Sequence, residues 1–92
     1  MRTIDQMYDA YIEHNRRQGH TIGKESFLHV KTFVHYCRTV IKTKMLSQKN
    51  VNQWCQKRQS ESIISCNKRV ASIRQFLRYT NANFWTSIDL PL

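Results

Sequence analysis

Apolar residues recur along this chain mostly at helical spacing, and they mark out four amphipathic segments. In the first, Thr3 can cap a helix in which Ile4, Met7, Tyr8, Tyr11 and Ile12 follow at i, i+3, i+4, i+7 and i+8. Asp5 suits its positive N-terminal end, Arg16 and Arg17 suit the other, and Gly19 is the expected stop. The second segment spans residues 24–42, with Phe27, Val30, Phe33, Val34, Cys37, Val40 and Ile41 on one broad face. Leu28, Thr32, His35 and Thr39 oppose that face. Lys31, Arg38 and Lys42 line one flank, and His29 lies on the other. Leu28 is an apolar misfit on the polar side.

A shorter third segment, residues 50–59, points Val51, Trp54 and Cys55 inward after the turn and possible cap in "SQKN". "SESIIS" interrupts the pattern before a fourth segment at residues 65–80. There Cys66, Val70, Ile73 and Leu77 gather on one side of the wheel, while Lys68, Ser72, Gln75 and Tyr79 face away. Asn67, Arg74 and Arg78 run along one edge. Residues 83–92, "NFWTSIDLPL", read as an extended linker. The pattern therefore predicts an all-α fold, a four-helix bundle over residues 1–82.

Composition narrows this further. A chain of 92 residues makes one domain, and 40% hydrophobic content is that of a globular chain. Two glycines and a single proline are too little turn punctuation for a β-sandwich. The chain has no apolar run long enough for a membrane span, and "MRTIDQMYDAY" lacks the apolar stretch of a signal peptide. Cys37, Cys55 and Cys66 form no CxxC pair, and Cys37 and Cys66 fall on apolar stripes. They read as thiols of a reducing cytosol, without a zinc cluster.

Charge changes the functional picture. The net charge is +9, and all of the excess sits in residues 26–92. In residues 1–25, Arg2, Arg16, Arg17 and Lys24 are offset by Asp5, Asp9, Glu13 and Glu25. Beyond them the only acids are Glu61 and Asp89. A surface built for solubility alone mixes its signs, so this asymmetry points to a polyanionic partner. Enzymatic signals are weak. The two glycines are isolated, so there is no phosphate loop, and His14, His20, His29 and His35 lack metal-site spacing. No cofactor and no small-molecule ligand is expected. Trp54, Phe76, Phe84 and Trp85 could serve as stacking platforms for single strands, but core or cover roles fit them better.

The order of these pieces resembles the N-terminal core-binding (SAM-like) domain of phage integrases, the tyrosine recombinases. The likeness rests on "RRQGHT" after the first helix, "ESFLHVKTFVHYC" as the second and "LSQKNVNQW" leading into the third. Its strongest part is "SCNKRVASIRQFLRY", similar to the family's "T-x-N-R-x-(L/V)-x-x-(I/L)-R-x-F-(F/L)-x-Y". "NANFWTSIDLP" resembles the closing segment, with Phe84 where the family usually has proline. The resemblance implies a bundle lying on one face of duplex DNA, its second and fourth helices across the major groove. By position it carries over to Ser26, His29 and Thr32, and to Ser65, Lys68 and Ser72.

With the outward face of the fourth helix added, the candidate DNA-contacting residues also include Arg69, Arg74, Gln75 and Arg78. Arg74 and Arg78 are expected beside the phosphate backbone. The resemblance further implies a separate catalytic domain downstream of the linker, so Tyr8, Tyr11, Tyr36 and Tyr79 are not nucleophiles. It implies other recombinase protomers as partners, no membrane, and a cytoplasmic, DNA-associated setting in a prokaryote. Two other readings stay open: a free-standing helical DNA-binding regulator or accessory factor, and a helical module that meets an acidic protein.

Overall fold

Helix α1, Ile4–Arg17, begins where the sequence supplies its cap. Gln6 N–H donates to Thr3 Oγ1 at 3.2 Å, and Thr3 N–H donates to Gln6 Oε1 at 2.9 Å, a reciprocal box that satisfies two otherwise orphaned donors. At the far end Gly19 takes φ 71, the left-handed conformation that its missing Cβ makes cheap, and its N–H donates to Arg16 O. The computed structural model describes residues 2–19, 24–56 and 58–91, with the backbone alone at 24 and 25. The connection at residues 20–23, part of the resemblance noted above, lies outside the described residues.

Helix α2 is Lys24–Thr39, α3 is Gln48–Trp54 and α4 is Ile63–Asn83. No strand occurs among the described residues. The all-α expectation therefore holds, with shifted boundaries. Helix α2 stops three residues before residue 42, because Lys42 adopts φ 58 and Thr43 N–H turns back to Cys37 O at 3.0 Å. Val40, expected inside, is consequently 65% exposed. Helix α3 starts earlier and ends earlier than the pattern suggested, capped by Ser47, whose side chain accepts from Asn50 N–H. Helix α4 likewise starts at Ile63 because Ser62 accepts from Ser65 N–H.

The core is shared by all four helices: Ile4, Met7 and Tyr11 of α1; Val30, Phe33, Val34 and Cys37 of α2; Val51 and Trp54 of α3; Ile73, Phe76 and Leu77 of α4. Tyr11 meets Phe76 edge-on with ring centroids 5.3 Å apart, and Phe33 meets Trp54 the same way at 5.5 Å. Burial pushes the Cys37 thiol up to about 11, so it is a neutral core group.

The segment after α4 is extended, as expected of residues 83–92. It folds back onto the bundle. Asn81 Nδ2 donates to Ile88 O at 2.9 Å, and Asn81 Oδ1 accepts from Ile88 N–H at 3.2 Å. Gln48 treats the next residue alike, accepting from Asp89 N–H at 2.7 Å and donating to Asp89 O. Two side-chain amides thus stand in for the neighbouring strand that an extended backbone would otherwise need. Phe84, Ile88 and Leu90 pack against the core.

Candidate nucleic-acid interface

Helix α4 decides what the basic surface can do, and its orientation differs from the wheel reading. Its buried residues are Arg69, Val70, Ser72, Ile73, Phe76, Leu77 and Thr80. At 100° per residue their centre is rotated by about 45° from the Cys66, Val70, Ile73, Leu77 stripe, towards Arg69 and Ser72. Cys66 is only half-buried, as is Cys55, while Lys68, Gln75 and Arg78 face solvent.

Arg69, expected on the DNA-contacting surface, is turned inward and 3% exposed. Its Nε donates to Glu61 Oε2 and its Nη2 to Glu61 Oε1, both at 2.9 Å, a fork that only a guanidinium can make. The same side chain donates to Trp54 O and to Gln56 O, the latter at 2.9 Å, and its guanidinium carbon lies 4.5 Å from the Trp54 ring centre. Arg69 therefore ties the end of α3 and the α3–α4 loop to α4. Its donors are spent inside the fold rather than offered at the surface. The hydrogen bonds from Arg69, joined by Arg58 N–H, hold the Glu61 carboxyl down at about 2. The pairing was missed because apolar periodicity does not register a buried cation. The available signal was Glu61 itself, the one acid between residues 26 and 88.

Arg74 was expected beside phosphates and is also otherwise engaged. It is half-buried, and its Nε donates to Pro91 O at 2.7 Å, holding the returning C-terminal segment. Arg78 remains exposed on the outer arc of α4.

What the structure does bring together is a groove between α2 and α4 of about 280 Å³, lined by Ser26, His29, Lys68, Ala71, Ser72 and Gln75. Five of the sequence-derived candidates share it. Ser72 forms its floor, buried and donating to Lys68 O at 3.0 Å, so its hydroxyl keeps only acceptor capacity for a visitor. Lys68 and Gln75 are exposed, while Ser26 and His29 are half-buried on the α2 wall. Ala71 keeps the opening wide. Thr32 is exposed on α2, its hydroxyl donating to Leu28 O at 2.7 Å. Ser65 is exposed in the first turn of α4, where its hydroxyl accepts from Ser62. Neither Thr32 nor Ser65 lines the groove. Among the described residues no carboxylate lines it either, and Lys68 is the cation that does.

The α1–α2 side differs. Asp5, Asp9, Lys31, His35 and Arg38 share a mixed-charge groove there, and Arg38 pairs with Asp5. Glu13 is held below its usual carboxylate value by its hydrogen bonds with Arg16 and Arg17. Among the described residues no cluster of His, Cys, Asp and Glu could hold a metal ion, and no helix is long and apolar enough to cross a membrane. Comparison with known proteins finds no matching family model, curated protein or solved structure.

Proposed function

We propose that this domain grips duplex DNA through the α2–α4 groove, in the manner of the core-binding domain of a site-specific tyrosine recombinase, and so serves DNA integration and recombination. One observation carries the reading. Lys68, Gln75, Ser26, His29 and Ser72 converge on a single groove that no acid of the described residues lines, although its nearest residues on the two helices, His29 and Lys68, are 39 positions apart in sequence. The sequence resemblance named the same two helices independently. Lys68 and Gln75 supply donors that match base edges and phosphate oxygens, and Ser26 and His29 face them from the other wall. Arg78, exposed on the outer arc, supplies a phosphate contact that carries no sequence information. This domain holds the DNA, and in a recombinase of this kind the reacting tyrosine comes from a separate domain.

The test is titration of fluorescent duplex DNA across a range of salt. Affinity should fall with a log–log slope of about −0.9 per phosphate contact, and Arg78→Ala should reduce that slope by about one unit on every sequence. Lys68→Ala should weaken binding without changing the folded fraction. A salt-independent affinity would sink the proposal. So would an Asp5→Ala variant that altered binding while Lys68→Ala did not, since that would put DNA against α1.

A further inference from the structure

Trp85 is the most exposed large apolar side chain of the described residues, at 88%. It also sits at φ 59, a left-handed conformation that is a true outlier for a bulky aromatic residue. Exposing an indole and straining its backbone are both unfavourable, and the fold gains almost no packing from the ring in return. Strain of this kind collects at sites that hold ligands. Beside the ring, at the end of the bundle where α1, the α2–α3 connection and the tail meet, lies a groove of about 360 Å³. Met7, Met45, Leu46 and Phe84 give it apolar walls, Asn83 and Thr86 polar ones, Arg2 stands at it, and no carboxylate of the described residues lines it. Thioethers adapt to flat rings and contact them favourably.

A slot with apolar walls and amide and hydroxyl groups beside an exposed indole, with a guanidinium and no acid among the described residues, fits a flat polar-edged ring attached to a phosphate. We propose that Trp85 and this groove form a stacking site for an unpaired base of single-stranded DNA, with Arg2 taking the adjacent phosphate. Aromatic stacking is indifferent to base identity because every base has a π-face, and paired bases in a duplex keep those faces hidden. The site therefore takes a different state of DNA from the α2–α4 groove and does not depend on that groove's role. The net charge of +9 favours a polyanion over an acid-poor protein as the visitor.

The chain's two tryptophans make the test direct. Trp54 is 4% exposed inside the core, so a change of indole fluorescence on adding an oligothymidylate reports Trp85. The expected result is saturable quenching that disappears in Trp85→Ala, with about a tenfold loss of affinity for the single strand. Trp85→Phe should retain part of the affinity, and Arg2→Ala should lower the salt slope. Thermal unfolding of Trp85→Ala should match the parent, showing that the loss is local. Blunt duplex of equal length should not quench. The Lys68→Ala variant should still be quenched by the single strand, whatever its duplex affinity. No quenching, equal quenching by duplex, or undiminished single-strand binding by Trp85→Ala would overturn the site. If Lys68→Ala abolished single-strand binding, the strand would lie in the α2–α4 groove instead, and the proposal would fail.

Discussion

Replacing Arg69 with alanine should destabilise the domain strongly while leaving the α2–α4 groove intact. The buried guanidinium satisfies the carbonyls of Trp54 and Gln56 and lies over the Trp54 ring. Stripping a donor from a buried carbonyl costs on the order of 1–3 kcal/mol, and losing a desolvated cation over a ring costs ~1–2 kcal/mol. Gln56 is itself exposed, so water can rehydrate its carbonyl, which places the sum towards the lower end, about 3–4 kcal/mol. Against a total stability of roughly 5–15 kcal/mol this is a large fraction. For a domain of this size the midpoint of thermal unfolding should fall by about 12–25 °C. Far-UV circular dichroism during heating and in urea measures it. Arg69→Lys should fall between parent and alanine variant, because lysine keeps the charge but loses the fork. Lys68→Ala, one residue away and exposed, should stay within about 0.5 kcal/mol of the parent. If Arg69→Ala cost less than about 1 kcal/mol, or if Lys68→Ala destabilised as much, the inward assignment of Arg69 would be refuted.

Three further outcomes follow from the same geometry. The folded-state Glu61 carboxyl is depressed from 4.5 to about 2, so its contribution is present above pH 4.5 and lost as pH falls towards 2; Glu61→Gln should flatten that acid limb of the stability curve, and an unchanged limb would contradict the pairing. The Cys37 thiol is raised by burial from 9.0 to about 11, so its neutral form stabilises the fold below pH 9 and that contribution is lost as pH climbs to 11; alkylation of Cys37 at pH 8 should proceed only as fast as global unfolding, and labelling as fast as at half-buried Cys66 would refute its burial. Asn81→Ala removes both hydrogen bonds to Ile88, so it should cost about 1–2 kcal/mol and accelerate protease cleavage within residues 84–91; an unaltered cleavage rate would show the tail is held some other way.

Helix number and class were legible in the chain because each helix carries an apolar stripe at the right period, and Thr3 was readable as a cap. Boundaries were less so. Val40 and Ile41 continue the apolar rhythm of α2, yet Lys42 ends it by adopting a left-handed backbone without glycine, which no periodicity signals. The phase of α4 was misjudged because Arg69 and Ser72 are polar by type and buried by circumstance, one satisfied by Glu61 and two carbonyls, the other by Lys68 O. Lys68 and Gln75 still lie on the solvent side of α4, since a rotation of about 45° leaves them on the outer arc or its edge, and the structure sets them opposite Ser26 and His29 of α2. The tail offered a cue that went unused: Ile88 and Leu90 alternate with exposed Ser87 and Asp89, the two-residue rhythm of an extended segment lying on a surface.

The short connection between α2 and α3 has a mechanical consequence. Ile4 N–H, an amide that α1 itself leaves without an acceptor, donates to Lys44 O at 2.8 Å, and Asp89 at the other end of the described chain docks on Gln48. Both extremities are thereby fastened to one five-residue stretch in the middle of the polypeptide. Each fastening spans about 40 residues, whereas the contacts within each helix are local and form early. Seating the two ends on this stretch is a long-range closure, costlier in chain entropy than the local contacts of the helices. A pull on the chain at residue 91 therefore loads Arg74 of α4, through Pro91 O, and Gln48, which belongs to the stretch that also anchors the first turn of α1.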